Sequence, residues 1–136
     1  KFFPEAEVIQ HACPMWVPLV ENNEYNSEGA DYFIKKDLDI LVNTNSGIDT
    51  VLLACTHYPL LIDKIKKFLP SNIKVISQGK IVADSLAEYL DRHAELKEKC
   101  SKSSELQFYT TDSTTDFDQH SQIFFGAKVN SAHIDL

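Results

Sequence analysis

Cys55, Thr56 and His57 stand side by side in VLLACTHYPLL, residues 51–61. A thiolate beside an imidazole is a base that takes a proton and hands it on. The same pair is also a nucleophile with its own base. Thr56 adds a hydroxyl able to donate to a carboxylate. Val51 to Ala54 is a continuous apolar run, as in a strand covered on both faces. Pro59 suits the first turn of a helix, where its missing N–H costs nothing. The triplet therefore falls between the carboxyl end of a strand and the amino end of the next helix. In open α/β sheets, ligands bind outside the carboxyl ends of strands, and free N–H groups at a helix start attract an anion. Spacing alone leaves a plainer reading open, because free cysteine is among the most buried residue types. Cys-x-His does not extend to a zinc set, since His11, Cys13 and Cys100 show no paired ligand spacing with it.

Hydrophobic periodicity supplies the elements that must position this triplet. EVIQHAC, residues 7–13, suits a short strand ending at Cys13-Pro14. Ala30, Phe33, Ile34, Leu38, Leu41 and Val42 mark one face of an amphipathic helix. Asn45-Ser46-Gly47 stops it, with Gly47 available for a left-handed cap. A second helix carries Leu60, Leu61, Ile65, Phe68 and Leu69, and Pro70 ends it. Lys74 to Ser77 is a short strand, and Ile81, Val82, Leu86, Tyr89 and Leu90 form a third helix face. Residues 94–105 are polar and read as a solvated helix end plus loop. Leu106 to Thr110 is a strand, and a last helix bearing Phe117, Ser121, Phe124 and Phe125 closes at Gly126. The order βαβαβαβα predicts an α/β fold, three-layered, with a mainly parallel sheet flanked by helices.

Bulk properties narrow the function classes. The 136 residues fit one domain or a large piece of one. A net charge of -7 without a dense basic cluster argues against nucleic acid as a partner. Apolar runs fall well short of the ~20 residues a membrane span needs. Only 4 glycines are present, too scattered for a G-x-G-x-x-G or a P-loop. Three cysteines in an acidic chain suit a reducing cytoplasm better than a disulfide framework. The start at Lys1, without a leader, reads as a fragment or a processed product.

Other chemically able residues carry weaker signals. Cys13 lies in apolar ACPMWVPLV and reads as a buried structural thiol. Glu21 follows that stretch and either lines a cleft or is simply an exposed carboxylate. Cys100, among Lys and Ser, reads as exposed. In TTDSTTD, residues 110–116, one of Asp112, Ser113, Thr114 and Thr115 is expected to cap the last helix. His11, His93, His120 and His133 have no identifiable partners in the sequence.

Taken together, these stretches bear a family likeness. VLLACTHYPLL strongly resembles the second catalytic-cysteine motif of the glutamate racemases, and three further stretches agree in the same order. They are ACPMWVPLVE at 12–21, FYTTD at 108–112, and DF followed by FFG and a hydrophobic tail within 116–136. CTHYP is the specific part, because the related aspartate racemases usually carry a glutamate where His57 stands. Ala54 replaces a usual glycine, Met15-Trp16 replaces a more usual Leu-Phe, and Gln78 precedes Gly79 where serine or proline is common.

The resemblance implies a reaction and roles. L- and D-glutamate would interconvert by two opposed cysteine bases, without pyridoxal or metal. Cys55 matches the second base, His57 the residue that assists it, and Thr56 a contact to the substrate. Glu21 matches a carboxylate near that histidine. The family has two similar α/β domains with the substrate between them. Residues 1–79 would belong to the second domain, and 80–136 would complete the first. The family's first cysteine lies in an amino-terminal half that has no counterpart here, so this chain alone would be inactive. Glutamate is the implied small-molecule partner, a homodimer is left open, and the product D-glutamate would serve peptidoglycan synthesis and cell shape. Three alternatives stand beside this reading: another racemase, of aspartate type; a thiol hydrolase using Cys55 and His57; and a module that only binds or supports.

Overall fold

The computed structural model describes residues 3–136. Contacts divide the chain into two compact units, Lys1–Gly79 and Lys80–Leu136. Both contain helices and parallel strand pairs, so the chain is α/β.

The first unit holds α1 (Trp16–Glu21), α2 (Glu28–Thr44), β1 (Thr50–Leu53), a 3₁₀ turn (Tyr58–Leu61), α3 (Ile62–Phe68) and β2 (Lys74–Ser77). Its core joins Trp16, Leu19 and Val20 of α1 to Ala30, Ile34 and Leu38 of α2, with Val51, Leu53, Leu61 and Ile65. The strands β1 and β2 run parallel, from Thr50 opposite Lys74 to Leu53 opposite Ser77. Helix α2 begins at Ser27, whose Oγ accepts the Ala30 N–H at 3.1 Å. Asp31, in the first turn of α2, pairs with Lys64 and, at 2.7 Å, with Lys67 of α3.

That clamp has a pH signature. Hydrogen bonds from Lys64 and then Lys67 hold the Asp31 carboxyl below its ordinary value. A lowered folded-state value gives stability that is present above the unfolded carboxylate range. It is lost as pH falls through the folded value. Asp31→Asn is therefore expected to flatten the acid limb of a Tm-against-pH series, below about pH 4. An unchanged acid limb would count against the clamp.

The second unit holds most of α4 (Gln78–Arg92), then α5 (Ala94–Lys97), β3 (Phe108–Thr110), α6 (Thr114–Phe125) and β4 (Ser131–His133). Strand β3 pairs with β4 in parallel, Phe108 opposite Ser131. Ser113 caps α6 by accepting the Asp116 N–H at 3.3 Å. Gly126 ends α6 at φ 75°, the left-handed region that a Cβ disfavours.

The structure departs from the sequence expectations in four places. Residues 7–13 form no strand, and the first regular element is α1, inside ACPMWVPLVE. Pro18 is tolerated there because it falls in the first turn. β1 is covered on one face only: Val51 and Leu53 are buried, whereas Leu52 is 56% exposed. Gly47 does not form a left-handed cap. Asn45 ends α2 in an extended conformation, and its Oδ1 accepts the Gly47 N–H at 2.7 Å. Finally, the strands form two separate two-stranded sheets, and β4 closes the second.

Candidate active site

Cys55 lies two residues beyond the end of β1 and is half-buried. Its backbone turns at once: the Tyr58 N–H donates to the Cys55 carbonyl at 3.2 Å, and the Leu60 N–H donates to the His57 carbonyl at 3.0 Å. This tight turn places the imidazole next to the thiol, with His57 Nδ1 3.9 Å from Cys55 Sγ. The other ring nitrogen, Nε2, lies 3.3 Å from Glu21 Oε1. Glu21 is the last residue of α1, so α1 and the loop after β1 together build a line of thiol, imidazole and carboxylate.

Each side of the ring has one neighbour. A proton on Nε2 donates to Glu21, and the Nδ1 lone pair then faces the thiol. A second proton on the ring leaves a thiolate beside an imidazolium, with the carboxylate behind it. The arrangement can therefore pass a proton to or from sulfur without moving the ring. Thr56, between them in sequence, is exposed. The expected row of open N–H groups is reduced, because the Tyr58 N–H is committed to Cys55.

Tyr58 is a residue that sequence reasoning missed. Its ring meets Trp16 edge-on at 4.8 Å, and its hydroxyl donates to the Cys13 carbonyl at 3.4 Å. It thereby pins the loop carrying Cys55 and His57 to the segment that enters α1. Desolvation, then the Cys13 and Cys55 thiols, raise its pKa. No spacing rule marks this tyrosine, because its role comes from contacts far apart in sequence.

Cys13 is half-buried and behaves as a proton-holding thiol. Desolvation, with the Asp37 carboxylate nearby, pushes it up to about 12, and a hydrogen bond from Tyr58 pulls the other way. Such a group is a poor candidate for a second base at neutral pH. Cys100 is exposed, as expected. Three histidines taken to be without partners have them. His11 Nε2 is 3.3 Å from Asp37 Oδ1. His93 Nδ1 is 2.7 Å from the Tyr89 carbonyl, and its ring stacks on that tyrosine. His133 meets the Asp112 carbonyl and the Asp135 carboxylate, each at 3.2 Å. His120 is likewise engaged. A depression of about 300 Å³ lined by Lys66, Leu69, Pro70, Ser71, Ile73 and Val75 includes none of the site residues.

Comparison with known proteins adds an independent line. No family model matches the chain. A glutamate racemase of Streptococcus gordonii is 34% identical over 133 residues, covering 98% of this chain and 49% of that protein. Glutamate racemase 2 of Caldanaerobacter subterraneus is 32% identical over 131 residues, 96% of this chain and 48% of that protein. The crystal structure of the Bacillus anthracis glutamate racemase isoform RacE1 superposes with a TM-score of 0.82 at 30% identity. It covers 97% of this chain and 48% of that one. The chain spans about half the length of the curated relatives it matches. Both in sequence and in fold, over nearly all of its own length, the chain is a relative of the glutamate racemases.

Proposed function

We propose that this chain supplies one of the two bases of a cofactor-independent glutamate racemase, and that Cys55 is that base. The observation carrying the reading is the line from Cys55 Sγ through the His57 ring to Glu21, at 3.9 and 3.3 Å. The Cys55 thiolate takes the α-proton from one face of glutamate, and a base on the opposite face returns a proton to the carbanion. In the reverse direction the Cys55 thiol donates. His57 is the group that resets sulfur between these states, and Glu21 holds the ring. Thr56 offers its hydroxyl to a substrate carboxylate. Residues 1–79 would belong to the second racemase domain, and 80–136 would complete the first. The product D-glutamate would feed peptidoglycan synthesis in the cytoplasm. Among the described residues no helix is long and apolar enough to cross a membrane.

The test pairs this chain with the complementary half of a relative such as the Streptococcus gordonii protein and follows racemisation by circular dichroism. Activity that needs both parts supports the reading. An active pair that is indifferent to residues 55–57 overturns it. A preference for aspartate over glutamate in the same assay would favour the aspartate-type alternative. A thiol hydrolase would use the same Cys–His pair and release a burst of product from an activated ester. No burst is expected, because an oxyanion would need backbone donors, and the Tyr58 N–H is already bonded to Cys55.

His57→Asn should slow the two directions unequally in an active racemase. The ring touches one base only, so its loss weakens proton transfer on one face, by about 10²-fold or more. The equilibrium constant between enantiomers stays at unity, so kcat/KM must fall equally both ways while kcat and KM split. Equal losses of kcat in both directions would reduce His57 to a structural residue.

A further inference from the structure

The geometry points to a second site in the first unit: a three-ligand site for a borderline transition-metal cation such as zinc, built from His11, Cys13 and Asp37. One ring nitrogen, Sγ and a carboxylate oxygen lie within 4.8 Å of one another. Tetrahedral zinc with bonds of about 2.0–2.3 Å holds its ligands about 3.3–3.8 Å apart, so closure needs side-chain shifts of about 1 Å. Nitrogen, sulfur and oxygen donors together suit zinc, cobalt or nickel better than calcium or magnesium.

Burial separates this cluster from a surface coincidence. The His11 and Asp37 side chains are 23% and 12% exposed, and Cys13 is half-buried. Asp37 is the one buried charged residue among the described residues, and it sits on the core face of α2 beside Ile34 and Leu38. An acid there costs stability unless a cation meets it. His11 is the partner seen, at 3.3 Å. A doubly charged ion meets Asp37 more strongly and also exchanges the Cys13 proton for a metal–sulfur bond, the proton leaving to solvent. Three protein ligands leave one position for water.

Position suggests what the ion would do. His11 and Cys13 lie in the irregular segment before α1, and Asp37 lies in the middle of α2. Side chains tie this segment to α2 and its cap through His11 with Asp37 and through Glu7 with Asn45, the latter at 3.2 Å. Bound metal would lock the entry to α1, the helix that ends in Glu21. The site shares no side chain with Cys55, His57 and Glu21, so it stands or falls apart from the racemase reading.

The test uses the reduced, metal-free 136-residue chain. Zinc is titrated against a chromophoric chelator, and cobalt is added in parallel to follow a thiolate-to-cobalt charge-transfer band. The expected result is one equivalent bound, the band present, and a higher Tm with metal. Cys13→Ser should abolish the band and weaken binding at least tenfold. His11→Ala and Asp37→Asn should weaken it similarly, and Cys100→Ser should change nothing. Circular dichroism of the metal-free variants checks that each is folded, and Cys13→Ser remains decisive should Asp37→Asn unfold. No stoichiometric uptake by the unmodified chain overturns the inference. So does a band that survives Cys13→Ser but is lost in Cys55→Ala, which would place the ion at the other cluster.

Discussion

Cys55→Ala is expected to abolish racemisation in both directions in any active racemase that contains this chain. A two-base mechanism needs one group to remove the α-proton and another to replace it on the far face. Deleting either stops the cycle whichever enantiomer is supplied. Loss of acid–base assistance of this kind costs about 10²–10⁴ in rate, and losing an obligatory base sits at or beyond the upper end. Cys55→Ala changes little else. The residue is half-buried at a turn, and its backbone carbonyl still accepts the Tyr58 N–H. The variant should therefore fold and bind substrate, which separates it from a structural defect. A β-chlorinated substrate gives a finer readout. Elimination of chloride needs only one base, so it should survive in one enantiomeric series and vanish in the other. Racemisation within a few-fold of the unmodified protein would remove Cys55 from the mechanism.

How much of this was legible in the sequence depended on whether a property was local. Helix α2 announced itself by apolar residues at three- and four-residue steps, and Ala30, Ile34 and Leu38 are buried as that spacing requires. Strand β2 covers Lys74–Ser77, the same short stretch expected after Pro70 ends the preceding helix. Cys55 and His57 are two residues apart, so their proximity followed once a turn was expected there. Glu21 was different. Its approach to His57 joins the end of α1 to a loop 36 residues later, and only the family likeness, not periodicity, placed the two together. Segment 7–13 looked like a strand because Val8, Ile9 and Ala12 are apolar, yet Val8 is 85% exposed. A strand needs a neighbour to bond with, and local propensity says nothing about one. Asp37 left a signal that was passed over. It lies three residues after Ile34 and next to Leu38, on the face that α2 buries, and an acid there needs a partner.

On its own, the 136-residue chain is not expected to racemise glutamate. The reason is stereochemical: protons must leave and arrive on opposite faces of the α-carbon, and the proposed site holds one such base, Cys55, beside His57 and Glu21. Cys13 does not repair this, because desolvation and Asp37 keep its proton in place at neutral pH. Dimerisation does not repair it either, since a symmetric pair presents two copies of the same face. The chain matches about half the length of its relatives. It also bears apolar surface on the free face of β1 and along α4, where Leu52, Ile81, Val82 and Leu86 are each more than half exposed. Water at such an open site weakens every electrostatic contribution to proton transfer. Exposed apolar surface of this extent also favours self-association. The measurement is the optical rotation of L-glutamate incubated with the purified chain, with sedimentation run in parallel. A flat trace, recovering slope when the complementary half is added, is the expected outcome. Sustained loss of rotation by the chain alone would mean that it holds a second base. Cys13→Ser, in the same assay, would then show whether the proton-holding thiol had been misjudged.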